Sequence, residues 1–353
     1  MSDPSQREGE ERAEAELLAQ AAEAGIHRLA IPTPFQVGRV NAYLIEDSPL
    51  TLIDSGPSSE RSLQELERGL GARGHAIEDI ELLVITHQHV DHFGLAATLA
   101  QRSGAEVAAL EGLAPYLHEF ETATELDDRF AQSVMLRHGI PADLITALRA
   151  VSASFRTWGA AVEVTRPVRD GEELRLRDRT LRVLHRPGHS PSDTVFLDDR
   201  SEVGRRAIMF AADHLLANIS SNPLLARPLD AGPAFTGPRP RALIDYMASL
   251  ERTRAMDLSL VLPGHGTPIA DHASLIDSRL FMHRRRAESI HGLIAAQPRT
   301  AHEIAVELWG NVAVTQAYLT LSEVLGHVDL LLDERRVVER ADSDEVIIRF
   351  EAV

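Results

Sequence analysis

The 353-residue chain contains no cysteine. That removes disulfides, thiolate nucleophiles and any cysteine-ligated zinc, so a metal site here must be built from histidine and carboxylate. Lysine is missing too, every basic side chain being arginine, and alanine is abundant. The lack of lysine excludes a Schiff-base mechanism, and together with the abundance of alanine it reads as the coding bias of a GC-rich genome. No run of about 18 apolar residues occurs, so no transmembrane helix is expected. Ser2 to Glu16 is acidic rather than basic and then apolar, unlike a signal peptide, and the expected location is the cytoplasm. Positive charge is scarce, the formal net charge being -17. Affinity for DNA or RNA comes largely from basic residues that neutralise phosphates, so this balance disfavours a nucleic-acid partner. No repeat is visible, and the length suits one large domain plus a small one.

What is present is a dense cluster, Thr86-His87-Gln88-His89-Val90-Asp91-His92-Phe93-Gly94, directly after the short apolar run Leu82-Leu83-Val84-Ile85. The run reads as a buried strand that delivers the cluster to the end of a sheet. In an extended segment residues two apart face the same way, so His87 and His89 can converge on one ion while Asp91 and His92 turn toward a second. Two metals are expected rather than one.

Along the chain, residues 1–24 are rich in Glu and Ala and read as a solvated, flexible or helical extension. Strands are expected at Ile26 to Ile31, Ala42 to Ile45 and Leu50 to Ile53, the last ending in Asp54-Ser55-Gly56-Pro57. Ser58 is the expected cap of an amphipathic helix carrying Leu63, Leu66 and Leu70. After Val107 to Leu110 the pattern turns helical from about 112 to 158, an insertion that is either a lid beside the site or a cover for one face of the sheet. Further strands are expected at Glu173 to Leu176, Leu181 to Leu184, Ala207 to Phe210 and Leu258 to Leu262. The last three end, directly or within a few residues, at turns bearing His189, Asp213 and His265. Strand-helix alternation of this kind predicts a layered α/β domain. Residues at one end of its strands lie close in space, so Asp54, the 87–92 cluster, His189, Asp213 and His265 can form a single constellation.

The order Asp54…His87-X-His89-X-Asp91-His92…His189…Asp213…His265 resembles the metallo-β-lactamase superfamily of binuclear metallohydrolases, from about residue 26 to about 275. The resemblance implies an αββα sandwich with His87, His89 and His189 on a first metal and Asp91, His92 and His265 on a second. It implies Asp213 between them and Asp54 behind the ligands. The site is more similar to glyoxalase II-like hydrolases than to the zinc β-lactamases, which typically place Cys where Asp213 stands. Flavodiiron-type relatives carry Glu in place of His89.

Two divalent cations about 3.5–4 Å apart can share a water, lower its pKa and present hydroxide to an electrophilic carbon or phosphorus. Asp91 or Asp213 would orient that water and receive its proton. Five histidines with two carboxylates suit Zn2+, and the ligand types also admit Mn2+ or Fe2+. Candidate substrate contacts are Phe155, Arg156 and Trp158 as an aromatic and cationic wall, His214 beside Asp213, and Ser221 and Asn222 in the turn 218–223. His185 reads as a packing or rim residue.

The expected domains are the extension 1–24, a metallo-β-lactamase-like domain 25–276, and a helical linker with a winged-helix-like domain over 277–353. In the last, Thr300 caps a helix from Ala301 to Leu308, a second helix runs from about Val314 to Asp329, and Arg336 to Glu339 pairs with Val346 to Phe350 as a hairpin. This resembles the appendage of the LACTB2-like branch, which includes nucleases. Residues 299–353 hold five Arg against eleven Asp and Glu, so the appendage reads as a wall of the site or a homodimer contact. Three activities follow: hydrolysis of a thioester or other acyl substrate, phosphodiester or RNA cleavage, and mononuclear-iron dioxygenation of a persulfide.

Overall fold

A computed structural model describes residues 4–199, 206–233, 235–341 and 347–353. Helix α1 (Pro4–Glu23) leads into β1 (Ile26–Ile31), β2 (Val40–Ile45), β3 (Thr51–Ile53), α2 (Glu60–Gly71) and β4 (Leu82–Val84). The short helix α3 (Val90–Phe93), α4 (Ala96–Ser103) and β5 (Glu106–Leu110) precede an insertion of three helices, α5 (Ala114–His118), α6 (Phe120–Arg137) and α7 (Ala142–Phe155). Next come β6 (Arg166–Val168), β7 (Glu173–Arg175), β8 (Thr180–His185), β9 (Thr194–Asp198), β10 (Ala207–Ala212), α8 (Ala242–Arg254) and β11 (Leu258–Pro263). The chain finishes with α9 (His272–Ala296), α10 (Ala301–Trp309), α11 (Val312–Thr315), α12 (Ala317–Asp333) and the hairpin β12 (Val337–Ala341) and β13 (Ile348–Ala352).

Strands β1 to β6 form one sheet in chain order and β11-β10-β9-β8-β7 a second. Their facing sides meet in one apolar cluster, with Ile45, Ile53, Leu82 and Val84 from the first sheet and Val183, Phe196, Phe210 and Leu262 from the second. The outer face of the first sheet is covered by α2, α4 and α5 through Leu66, Leu70, Leu99 and Leu117. That of the second is covered by α8 and α9 through Leu243, Tyr246, Leu250 and Ile276. The result is the expected αββα sandwich. Strands β3 and β4 pair in parallel, as do β10 and β11. Asp54, the 87–92 segment, Asp213 and His265 therefore leave the two sheets at the same edge, where parallel strands end together.

A further cluster unites Val134, Met135 and Ile145 of α6 and α7 with Ile290, Ile304, Leu321, Leu325 and Phe350 of the C-terminal elements. The insertion thus does two jobs. Its first helix, α5, covers the sheet, and its last two join the C-terminal helices and hairpin.

Several local expectations need correction. The 1–24 extension is a docked helix: Leu17, Ala21 and Ala24 recur at helical spacing and pack against the inter-sheet core, and Glu14 pairs with Arg28 at 2.7 Å. Residues 1–3 lie outside the described residues. The cap of α2 is Ser59, whose hydroxyl accepts from the Ser62 amide, not Ser58. Strands β6 and β9 were not foreseen, since Arg166-Pro167-Val168 and Thr194 to Asp198 are short and weakly patterned. Thr300 does cap α10, reciprocally with Glu303. The helix after it is broken into α11 and α12, and Val346 lies outside the described residues.

Candidate metal centre

His87 and His89 sit in the non-helical bend after β4, and His89 is the N-cap of α3. Helical geometry starting there swings Asp91 and His92 away from His89, which separates the two halves of the cluster within six residues. His87 Nε2 lies 3.1 Å from His89 Nδ1, and His189 Nε2 lies 2.9 Å from the same atom. The second group is closed by His265 Nε2, 3.3 Å from Asp91 Oδ2, and by His92. Asp213 stands between the groups. Its Oδ2 is 3.5 Å from His189 Nε2 and 3.6 Å from His265 Nε2, and its Oδ1 is 3.4 Å from His92 Nε2.

These separations fit ligands around an ion. Tetrahedral zinc with bonds of 2.0–2.1 Å places its ligand atoms about 3.3 Å apart. The buried His92 Nε2, His265 Nε2 and Asp213 Oδ1 have no hydrogen-bond partner among the described residues, although native proteins rarely leave such groups unsatisfied. Two cations, one held by His87, His89, His189 and Asp213 and the other by Asp91, His92, His265 and Asp213, would satisfy every one of these atoms.

Charge points the same way. Burial holds His87 well below the usual histidine range and pushes His89 down to about 3, with neighbouring imidazoles adding to the effect. Both are therefore neutral, the form that binds metal. Burial also opposes charge on His92, yet Asp213 and Asp54 outweigh it and hold that imidazole well above its ordinary range. Burial raises Asp213, but His265 and His92 more than reverse this and keep it ionised. The second group is thus an environment that demands positive charge.

The rings are oriented from behind. His92 Nδ1–H donates to Asp54 Oδ2 at 2.8 Å. The Thr86 hydroxyl donates to the same carboxylate at 2.9 Å and accepts from His87 Nδ1–H at 3.0 Å. One carboxylate therefore fixes the tautomer of a histidine in each group, leaving both Nε2 lone pairs facing inward. His265 Nδ1–H donates to the Arg39 carbonyl at 2.8 Å, and His189 Nδ1–H to the Asn222 carbonyl at 3.1 Å. Asp54 has φ +59°, a left-handed conformation that Asp and Asn adopt more readily than most residues. Gly264 is needed for close approach, because a Cβ there would stand 2.4 Å from Asp213 Oδ1 and 2.7 Å from His92 Cε1.

The structure sorts the candidate substrate contacts. His214 is corrected: it is fully buried, its Nε2 is 2.9 Å from Thr253 Oγ1 and its ring packs on Tyr246, so it faces away from the metals. Asp213 leaves β10 toward the site, and its neighbour necessarily points the other way. Ser221 is corrected too, since it is buried and its hydroxyl donates to the Asp213 carbonyl, supporting the turn. Asn222 acts through its carbonyl on His189, while its Nδ2 donates to the Leu319 carbonyl of α12 at 3.2 Å. Arg156 is paired with Asp128, and Phe155 packs edge-on to Phe35 with ring centres 5.4 Å apart. Trp158 contributes its carbonyl to the Ser58 amide. His185 Nε2 is 2.9 Å from the Pro191 carbonyl, a packing role. Thr86, Arg39 and Gly264 were missed; Thr86 and Gly264 adjoin ligands in sequence, whereas the Arg39 carbonyl carries no sequence signal.

A separate group, His283, Glu323 and His327, lies between α9 and α12. Its charge is already balanced, because Arg286 holds Glu323 at 2.9 Å and His283 Nδ1 lies 3.2 Å from His327 Nε2.

Residues 36–265 match the model of the family described as "Metallo-beta-lactamase superfamily". The chain belongs to that superfamily. As a member of the metallo-β-lactamase superfamily it is a metal-dependent hydrolase, and relatives extend the likeness beyond the matched segment. A probable metallo-hydrolase of Bacillus subtilis, YqjP, is 32% identical over 321 residues, 91% of this chain and 96% of that protein. The acyl-coenzyme A thioesterase MBLAC2 of Bos taurus is 30% identical over 50% of this chain and 58% of its own length. The metallo-β-lactamase family protein TTHA1429 of Thermus thermophilus superposes with a TM-score of 0.76 at 25% identity, covering 93% of this chain and 99% of that one. No helix among the described residues is long and apolar enough to cross a membrane.

Proposed function

We propose that this chain is a two-metal hydrolase of thioesters, of the glyoxalase II-like type, with zinc in both positions. The observation that carries the reading is Asp213, whose two carboxylate oxygens reach into two separate ligand groups. Divalent ions held there supply Lewis acidity and a water of lowered pKa. The chain's own residues do the rest. His87, His92, His189 and His265 are held in the ligating tautomer by Asp54, Thr86, Asn222 and Arg39. Asp91, beside His265, is the carboxylate placed to take the proton of the attacking water. In the net reaction a C–O bond forms at the acyl carbon, the C–S bond breaks, and the thiol leaves with a proton; nothing is oxidised or reduced.

The acyl choice is supported by the similarity to an acyl-coenzyme A thioesterase over half of the chain and by the acidic C-terminal segment, which suits RNA poorly. The helices α9 to α12 with the β12–β13 hairpin are read as a winged-helix-like appendage that walls the site. The test is elemental analysis of purified protein, followed by assay against acyl-CoA thioesters, single-stranded RNA and a persulfide. Two zinc ions per chain and thioester turnover that falls at least a thousandfold in Asp213→Ala support the reading. Cleavage of RNA alone, one iron per chain with persulfide oxidation, or no thioester turnover by the two-metal protein refutes it.

A further inference from the structure

The two most accessible ligands, His89 and His189, are partly exposed whereas the others are buried, so the centre opens on their side. Four segments enclose that opening. The first is the 32–38 loop, joined to the centre through the Arg39 carbonyl on His265. The second is the end of α7, where Phe155 packs on Phe35 of that loop, and a Cβ on the following Gly159 would meet Val90, next to His89, at 3.0 Å. The third is the 218–222 turn, whose Asn222 carbonyl holds His189 and whose Asn218 Nδ2 lies 4.0 Å from where a Cβ on Gly266 would stand. The fourth is the start of α12. Leu319 accepts from Asn222 there, and Gln316 Nε2 donates to Gln36 Oε1 of the first loop at 3.2 Å. The contacts close into a ring.

The ring is uncharged. Residues 32–38, 150–155, 215–226 and 310–322 contain no Asp, Glu, Arg or His, although 25% of the chain is charged. Cations beside these segments are engaged, Arg39 with Glu65, Arg156 with Asp128 and Arg227 with Asp127, while Arg279 of α9 donates to the Leu216 and Ala217 carbonyls at 3.4 and 3.1 Å. Large apolar side chains on the ring are nevertheless open to solvent: Val37 is 39% exposed, Phe155 45%, Ile219 47% and Leu319 37%. Single exposed apolar residues need no explanation, but a set gathered round a metal centre without an intervening charge is the mark of a binding surface.

We propose that this rim is the acyl-chain site: Val37, Phe155, Ile219 and Leu319 receive an unbranched apolar acyl chain whose carbonyl lies at the metals. The proposal rests on the thioester reading above and names its substrate class. It also gives the C-terminal segment a share in substrate selection, because Leu319 belongs to α12. A short polar or anionic acyl group would gain nothing from this wall.

The experiment is a series of N-acetylcysteamine thioesters from acetyl to dodecanoyl, measured with the wild-type protein and with Ile219→Asp, Leu319→Asp and Val37→Asp. Metal content and thermal unfolding establish that each variant is folded. Burial of a methylene contributes about 0.8 kcal/mol, or about fourfold, and about half of that is expected on a partly open rim. In the wild type kcat/KM then rises about twofold per methylene, and the decanoyl-to-acetyl ratio falls at least tenfold in at least two variants, whatever becomes of the acetyl value. A flat chain-length profile, or an unchanged ratio in all three, overturns the proposal. If no thioester is hydrolysed, the functional reading fails separately and the rim is judged by binding of 11-(dansylamino)undecanoic acid. Micromolar binding that weakens at least tenfold in the variants sustains it, and absence of binding overturns it.

Discussion

Replacing Asp54 by asparagine should weaken metal binding chiefly at the Asp91, His92 and His265 group. The amide matches the carboxylate in size and tolerates φ +59° as well as Asp does, so the backbone is not perturbed. Its oxygen, placed as Oδ1, can still accept from the Thr86 amide and hydroxyl, both 3.0 Å away. Its nitrogen then replaces the oxygen 2.8 Å from His92 Nδ1 and sets two donors against each other. Relief comes from moving the His92 proton to Nε2, which removes the lone pair that faces Asp213. Loss of a partner behind a ligating histidine typically weakens affinity 10–100-fold, equivalent to about 1.4–2.8 kcal/mol. Titration with a competing chelator, followed by zinc analysis at each step, should show one ion released at tenfold or more lower chelator concentration while the other is held nearly as before. Alanine at the same position also frees the Thr86 hydroxyl, and both ions should then weaken. Affinities unchanged within twofold in Asp54→Asn, or equal loss of both ions, would refute the assignment of tautomers.

Gly264→Ala should leave the sandwich folded, at an overpacking cost of about 1–3 kcal/mol, but lower metal content, because the new methyl stands against Asp213 and His92; full occupancy would show that the turn yields instead. Burial pushes His138 down to about 3 and His283 and His327 each to about 4. The unfolded chain takes up these protons below about pH 6.5 while the folded chain refuses them, so stability falls as pH drops from 6.5 toward 4. The loss is about 2 kcal/mol per histidine by pH 5. Urea midpoints measured from pH 7 to 5 check this, and the slope should be shallower in a His283→Phe, His327→Leu variant; an equal slope would remove the pair from the account.

A layered α/β domain was legible because each strand that feeds the site is a short apolar run ending in an abrupt change of composition; the αββα sandwich itself was implied by the family resemblance. The insertion was legible as helical, but its division between covering the sheet and joining the C-terminal helices was not. Val134 and Ile145 look like any apolar helix residues until Leu321 and Phe350 are seen against them. Strands β6 and β9 escaped because two or three alternations do not rise above the background of turns.

The sequence by itself determined the elements whose cause is local. These are the split of His87 and His89 from Asp91 and His92, read from an extended segment although a helix beginning at Val90 produces it, and the cap at Thr300. Only the tertiary structure decided which neighbours face the metals. Asp213 points into the centre while His214 turns to Thr253, and the Arg39 and Asn222 carbonyls orient histidines 226 and 33 residues away. The reason is physical: a ligand's identity is written in one side chain, but its direction and protonation are set by groups that meet it only when distant segments close around a common edge.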